Sequence, residues 1–162
     1  MRAYLRLSVL ALMAIVMAGC GPTVDLAKAL KVSVASTGWF DAGIVNGKNK
    51  LVPMIVLTVT NQSDQTLVSL QLNAVFRRVT EKEEWDSGFV IAAGSSGLAP
   101  GATTPTLTIK SRLGYTGSDQ SRQELLENKQ FIDAKVELFG KYGSVQWTRL
   151  GEYPVTRRLV EP

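Results

Sequence analysis

The sequence predicts an all-β fold, an antiparallel β-sandwich of seven or eight strands with one short crossover helix. Several segments alternate apolar and polar residues with a period of two, which is the pattern of strands that bury one face. Turn residues separate these segments at the short spacings that are typical of an antiparallel sandwich. Only residues 118–129 have the start signal and the apolar face of a helix. Strands should therefore dominate the folded chain.

The start of the chain has the three-part pattern of a secretory signal. Arg2 and Arg6 form a basic start, residues 7–17 form an apolar run that only Ser8 interrupts, and small residues follow. The apolar run is much shorter than the ~20 residues that a transmembrane helix needs, and no basic stop follows it. We therefore expect residues 1–19 to be a signal peptide and not a transmembrane anchor.

The end of this signal, Met17-Ala18-Gly19-Cys20, resembles a bacterial lipobox. The resemblance implies cleavage before Cys20, a diacylglycerol on its sulfur and a further fatty acid such as palmitate on its amino group. Two or three acyl chains anchor a protein durably, because each buried methylene contributes ~0.8 kcal/mol. The resemblance thus implies a lipoprotein anchored to a membrane of the cell envelope. Gly21, where many bacteria use aspartate for inner-membrane retention, further implies the outer membrane, facing the periplasm, if the source has one.

The mature chain has the size of one domain. We expect residues 20–29 to be the lipidated cysteine and a short tether, and residues 30–162 to form the sandwich. Loss of the two signal arginines lowers the formal net charge from +4 to +2, and no run of Lys and Arg exceeds a pair. This charge distribution argues against nucleic-acid binding.

The composition excludes the usual hydrolase mechanisms. The chain has one cysteine, which the lipobox accounts for, and no histidine, so cysteine nucleophiles, Ser-His pairs and the commonest zinc ligand are missing. A carboxylate enzyme would need two acids that converge in a cleft, whereas most Asp and Glu residues lie in turn-like or charged segments. We therefore predict a non-enzymatic protein without catalytic residues, a metal site or a cofactor.

The first strand of the sandwich is predicted at residues 30–35, where apolar residues occupy alternate positions. Thr37-Gly38 should end or bend this strand. The aromatic pair Trp39 and Phe40 follows directly, and it can form either an interaction site or part of the core. Aromatic residues at strand ends are more often buried, so we expect at least one of the two in the core.

A hairpin-turn signal, Asn46-Gly47, precedes the two clearest strands. Residues 51–60 form the densest apolar run and predict a central strand. Residues 67–79 have the clearest alternation in the chain, which predicts a strand with one polar and one buried face. The predicted buried face comprises Val68, Leu70, Leu72, Ala74 and Phe76.

A further strand is predicted at residues 85–92, after a charged hairpin tip at residues 81–84. Its large residues Trp85, Phe89 and Ile91 are expected to be buried. A flexible loop and a turn then lead to an alternating strand at residues 106–109.

Residues 51–109 resemble the small immunoglobulin-like sandwich domains of bacterial lipoproteins, of which the FxLYD type is the nearest. The likeness lies in an extended LTVTN segment, the alternating strand after it, and an LAPG turn before the next strand. The FxLYD signature itself is replaced by AVFRR at residues 74–78. The resemblance implies a binding or scaffold module and supplies no catalytic residues.

The C-terminal part adds the helix and the last strands. Residues 113–117 predict a crossing loop, and a capping box of Ser121 and Glu124 starts the helix. Strands are predicted at residues 131–139, 145–148 and 153–160, with a hairpin turn at residues 140–143. Pro154 indicates an edge strand, because proline cannot donate to a ladder.

Together these features predict a lipid-anchored protein-binding or scaffold module with a protein partner in the envelope. The alternative is a module that binds a small ligand, a glycan or a lipid, on exposed tryptophans. The candidate binding residues are Trp39, Phe40, Trp85 and Trp147. Two tryptophans exposed on one concave surface would favour a small ligand, whereas a flat apolar patch would favour a protein.

Overall fold

The computed structural model describes residues 23–162, and the predicted signal peptide and Cys20 lie outside this range. Two antiparallel sheets of four strands each form the predicted all-β sandwich. In chain order the elements are α1 (Leu26–Ala29), β1 (Leu30–Val45), β2 (Lys48–Asn61), β3 (Leu70–Arg78), β4 (Asp86–Ala93), β5 (Leu107–Lys110), β6 (Tyr115–Gly117), α2 (Arg122–Glu127), β7 (Ala134–Lys141) and β8 (Thr148–Val155).

Sheet 1 is built on the long β1–β2 hairpin. Strand β2 is central, as predicted, because it pairs with β1 on one side and with β5 and β6 on the other. Asn46 and Gly47 both adopt positive φ angles, 52° and 74°, which confirms the predicted hairpin turn. The expected break at Thr37-Gly38 is wrong, because β1 continues to Val45. A Cβ at Gly38 would lie 2.8 Å from the Arg158 carbonyl oxygen, so this glycine admits the C-terminal segment.

Sheet 2 has the strand order β4-β3-β7-β8. The predicted inner face of β3 is confirmed, since Leu70, Leu72, Ala74 and Phe76 are all fully buried. Val68 is an exception, because the strand begins only at Leu70 and Val68 is exposed. The positive φ angle of Ser69, 51°, separates Val68 from the alternation of the strand.

The predicted orientation of β4 is wrong at two of its three large residues. Phe89 and Ile91 are exposed, and Trp85 is half-buried just before the strand. The register explains this, because Gly88 pairs with the inward Ala74 and Val90 pairs with the inward Leu72. Phe89 and Ile91 occupy the intervening positions, whose side chains point away from the core.

Three predicted segments differ in extent from the observed elements. Residues 115–117, predicted as loop, form β6 on the edge of β2. The helix is limited to Arg122–Glu127, although its Ser121 and Glu124 capping box is present as predicted. The last two predicted strands are one strand, β8, which lies at an edge of sheet 2, as Pro154 indicated.

The segment predicted as a tether contributes to the core. Asp25 caps the short helix α1 by accepting a hydrogen bond from the Ala27 N–H, and Leu26 and Ala29 are buried. Val24 donates its backbone N–H to the Tyr142 hydroxyl at 2.7 Å. The packed structure therefore begins ahead of residue 30. Among residues 23–162, neither helix has the length and apolar composition needed to cross a bilayer.

Candidate functional site

Two of the four candidate binding residues lie in an aromatic cluster between the sheets. Trp39 is 0% exposed, and its ring centroid lies 4.6 Å from that of Phe131 and 5.5 Å from that of Tyr115. Trp85 is half-buried at 6.3 Å from Trp39, and the Arg78 guanidinium covers its ring at 4.8 Å. Trp39 therefore belongs to the core, and little of the Trp85 ring is open to a ligand.

The other two candidates lie on different sheets. Phe40 is half-buried on the outer face of sheet 1, with the Lys110 Nζ 3.9 Å from its ring centroid. Trp147 precedes β8, is 40% exposed and has the Lys141 Nζ 5.0 Å from its ring centroid. The tryptophans thus do not form a shared concave platform within residues 23–162.

The outer face of sheet 2 carries an exposed apolar surface that the sequence pattern did not predict. Phe89 is 56% exposed and Ile91 is 61% exposed. Across the sheet, Asn73 of β3 pairs with both Phe89 and the half-buried Phe139, and Gln71 pairs with both Ile91 and Lys141. We call this surface the sheet 2 patch; it comprises Phe89, Ile91, Phe139, Lys141 and Trp147.

The charges beside the patch are organised into ion pairs. Glu137 accepts a hydrogen bond from Arg77 Nε at 2.8 Å and a weaker one from Arg149 at 3.3 Å. The hydrogen bond from Arg77 is the main cause that lowers the pKa of Glu137. Glu152 pairs with Lys135 and Arg149. Lys141 forms no ion pair within residues 23–162, so the patch joins apolar side chains to one available cation.

A buried carboxylate joins the two sheets near the hairpin end of the sandwich. Asp86, the first residue of β4, accepts hydrogen bonds from the backbone N–H groups of Arg112 and Leu113, the Ser111 hydroxyl and the Arg112 guanidinium. Burial alone would raise the pKa of Asp86, but the hydrogen bonds from the Arg112 side chain and backbone, the Ser87 backbone and the Ser111 hydroxyl lower it far below its usual range. The group is thus held ionised as a structural clamp.

A cavity of about 280 Å³ opens beside the aromatic cluster. Tyr115 and Phe131 contribute rings to its wall, and Gln120, Asn128 and Gln130 contribute amides. Among the residues that the structure describes, no acidic side chain lines this cavity, so they do not place there the paired carboxylates that a glycosidase-type mechanism needs. Within residues 23–162, no three Asp, Glu, Cys or His side chains converge as a metal site would require.

Comparison with known proteins gives only distant likenesses to solved structures. No protein-family model matches the chain, and no curated protein matches it. A solved structure described as "X-ray structure of Northeast Structural Genomics Consortium target SoR45" is similar at a TM-score of 0.41 and 12% identity, over 81% of this chain and 85% of that chain. The likeness to the FxLYD type and to a lipobox therefore stays a prediction.

Proposed function

We propose that this protein is a lipid-anchored lipoprotein of the cell envelope whose sandwich binds a partner protein through the sheet 2 patch, without catalysing a reaction. The lipobox-like Met17-Ala18-Gly19-Cys20 supports the anchor, and Gly21 supports the outer membrane where the source has one. The exposure of Phe89 and Ile91 on an open sheet face is the observation that carries the binding role.

The chemistry of the patch favours a protein as its occupant. Burial of apolar surface stabilises a complex by roughly 25 cal/mol per Å², and aromatic residues are common anchors at interface centres. Phe89, Phe139 and Trp147 provide such anchors beside Ile91 and the Lys141 cation. We infer that the partner presents an apolar surface with an acidic side chain that meets Lys141.

The experiment compares capture of the partner by matched variants of the full chain. Membranes from cells that express the tagged protein are cross-linked and solubilised, and co-purified proteins are identified by mass spectrometry. Phe89→Ser with Ile91→Ser should lose a partner that the parent retains. Val79→Ser is the control, because Val79 is 52% exposed and lies in the turn after β3, outside the patch.

A partner that both variants retain, or that both lose, would overturn the assignment of the patch. Each variant is first checked for its thermal unfolding midpoint, because a loss of folding would mimic a loss of binding. Sedimentation of the purified protein tests whether a second copy of the chain occupies the patch. A dimer that forms through the patch would contradict the proposal that a different protein is the partner.

The alternative function, binding of a small ligand, rests on the cavity beside Tyr115 and not on the tryptophans. Its aromatic rings and three amides suit a neutral polar ligand such as a sugar. Titration of the protein with maltotriose, followed by amide NMR shifts, tests this alternative. Shifts confined to Gln120, Asn128 and Gln130 would support it.

A further inference from the structure

The outer face of sheet 1 carries a basic and apolar surface at its hairpin end. Phe40 pairs with Val52, and Val45 pairs with Lys48, so these four side chains share one face of the sheet. Phe40, Val45 and Val52 surround a depression of about 230 Å³, together with Lys50, Lys110 and Arg112. We call this surface the hairpin shelf; it comprises Phe40, Val45, Lys48, Lys50, Val52, Lys110 and Arg112.

The cations of the shelf are directed to solvent or held at its rim. The Lys110 Nζ lies 3.9 Å from the centre of the Phe40 ring, and Lys50 Nζ donates a 2.7 Å hydrogen bond to the Arg112 carbonyl oxygen. Within residues 23–162, Arg112 forms the one ion pair of the shelf, with Asp86. Lys48, Lys50 and Lys110 therefore leave a positive surface unneutralised by neighbouring carboxylates.

Exposed aliphatic side chains border these cations. Val45 is 40% exposed on the face of the shelf, and Leu113 is 48% exposed directly after Arg112. Ile44 is also exposed, but it pairs with Asn49 and therefore projects from the opposite face of the hairpin. Apolar side chains that project beside lysines are the arrangement with which peripheral proteins bind membranes. Their apolar groups enter the boundary between headgroups and acyl chains while their cations meet anionic lipid headgroups.

We propose that the hairpin shelf binds anionic phospholipid headgroups, with Val45 inserted at the membrane interface. The lysines would meet the lipid phosphates, and the half-buried Phe40 would face the glycerol and upper acyl region. This inference goes beyond the partner-binding role, since it concerns the opposite sheet and needs neither the sheet 2 patch nor an acylated Cys20.

The position of the shelf determines how the protein would be oriented on a membrane. Strand β1 has 16 residues, which at ~3.3 Å per residue places its two ends roughly 50 Å apart. Leu30 lies at one end, after the N-terminal segment, and the shelf lies at the other. Simultaneous contact through a lipid at Cys20 and through the shelf would lay the hairpin along the membrane surface.

The test uses the unlipidated chain that begins at Gly21, because the buried core lies within residues 26–155 and is retained. The protein is sedimented with phosphatidylcholine vesicles that contain or lack phosphatidylglycerol. We expect it to bind only the vesicles with phosphatidylglycerol, and to bind less as salt is raised. Lys50→Glu with Lys110→Glu should weaken binding at least about tenfold, since each basic residue near such a surface contributes about 1 kcal/mol.

Two further variants separate binding by the shelf from a general effect of net charge. Lys28→Glu with Lys31→Glu makes the same change in net charge at the other end of β1, where both lysines are exposed, and should bind nearly as the parent does. Val45→Ser should weaken binding without changing the charge. Urea unfolding of each variant verifies that it is folded.

Four results would overturn the proposal. They are failure to bind phosphatidylglycerol vesicles, equal binding to pure phosphatidylcholine, equal losses in the two charge-reversed variants, and complete competition by millimolar inorganic phosphate, which would identify a site for a free anion. None of these results affects partner capture by the sheet 2 patch.

Discussion

The Asp86 carboxylate accepts a 2.6 Å hydrogen bond from the backbone N–H of Arg112. This contact connects the start of β4 in sheet 2 to the loop that follows β5 in sheet 1. Asp86 also accepts hydrogen bonds from the Ser111 hydroxyl at 3.1 Å and from the Leu113 N–H at 3.3 Å. One ionised side chain thus fixes both sheets and a loop at the hairpin end of the sandwich.

Replacement of Asp86 should destabilise the fold. Asp86→Asn removes the charge and replaces one of the two accepting oxygens by an amide NH₂ group, so some of the Arg112 and Leu113 donors lose their acceptor and we expect a loss of about 2 kcal/mol. Most of the loss should come from the backbone contacts, because the Arg112 side chain is largely exposed. Urea unfolding at pH 7 measures the change. Asp64→Asn is the control, since Asp64 lies exposed in a turn, and a loss as large there would contradict the clamp.

Acid should weaken this clamp within a defined range of pH. The pKa of Asp86 is lowered in the folded protein, whereas an unfolded aspartate titrates near about 3.9. Its contribution is therefore complete above that value and is lost as the pH falls below about 4 toward the folded pKa. Glu137, whose pKa is lowered mainly by the Arg77 hydrogen bond, acts in the same direction. Unfolding free energies between about pH 5 and pH 2 should fall less steeply in Asp86→Asn than in the parent; parallel curves would contradict this assignment.

Strand β3 provides a second test through two adjacent residues. Leu72 is fully buried and Gln71 is half-buried on the outer face. Leu72→Ala should cost ~2 to 5 kcal/mol by loss of packing, whereas Gln71→Ala should stay within about 0.5 kcal/mol of the parent. Urea melts of the chain that begins at Gly21 compare the two. Equal losses would mean that the register of β3 is wrong.

Gly114 permits β6 to pair with β2. A Cβ at this position would overlap the Leu51 carbonyl oxygen, a backbone atom that cannot move without disturbing the sheet. Gly114→Ala should therefore lower the free energy of unfolding by about 1 to 3 kcal/mol, which corresponds to a decrease of several degrees in the unfolding midpoint. Gly94→Ala is the matched control, because nothing lies within 4 Å of its added Cβ. Thermal unfolding followed by circular dichroism distinguishes them, and an unchanged midpoint in Gly114→Ala would exclude this close approach.

The proposed anchor depends on Cys20. Cys20→Ser should abolish incorporation of labelled palmitate and should release or misprocess the protein, because serine offers no thiol for acylation. Detergent phase partition and gel migration measure both effects. Thr23→Ser, outside the lipobox, should behave as the parent does. If Cys20→Ser still enters the detergent phase and migrates as the parent does, a lipid at this cysteine is refuted.

The sequence predicted the fold class and the strands whose two faces differ clearly. Residues 70–76 show why, because every second residue is apolar and only one orientation buries them. Residues 89–92 are apolar at successive positions, so alternation did not distinguish the two faces of β4. Pairing with β3 decides which face of β4 is buried. Gly88 faces inward, where a Cβ added to it would lie 2.8 Å from the Lys110 carbonyl oxygen.

The same ambiguity hid the sheet 2 patch. Phe89 and Ile91 were placed in the core because large apolar residues are usually buried. The sequence pattern likewise does not indicate the burial of Asp86, which four hydrogen-bond donors from residues 111–113 make favourable. Those donors come from a distant part of the chain, and no local pattern in the sequence indicates that they meet Asp86. Trp39 confirms the expectation that at least one residue of its aromatic pair lies in the core, although β1 continues past it and no strand ends there.

The packing of Leu26 also limits how far the domain can travel. With Cys20 acylated as proposed, the chain from Cys20 to Leu26 can extend at most about 20 Å, at ~3.5 Å per residue. The lipid anchor and this short segment then hold the sandwich close to the lipid leaflet, at a distance no larger than about the width of the sandwich. A partner on the far side of the compartment would be out of reach, so binding must take place where the partner itself approaches the membrane.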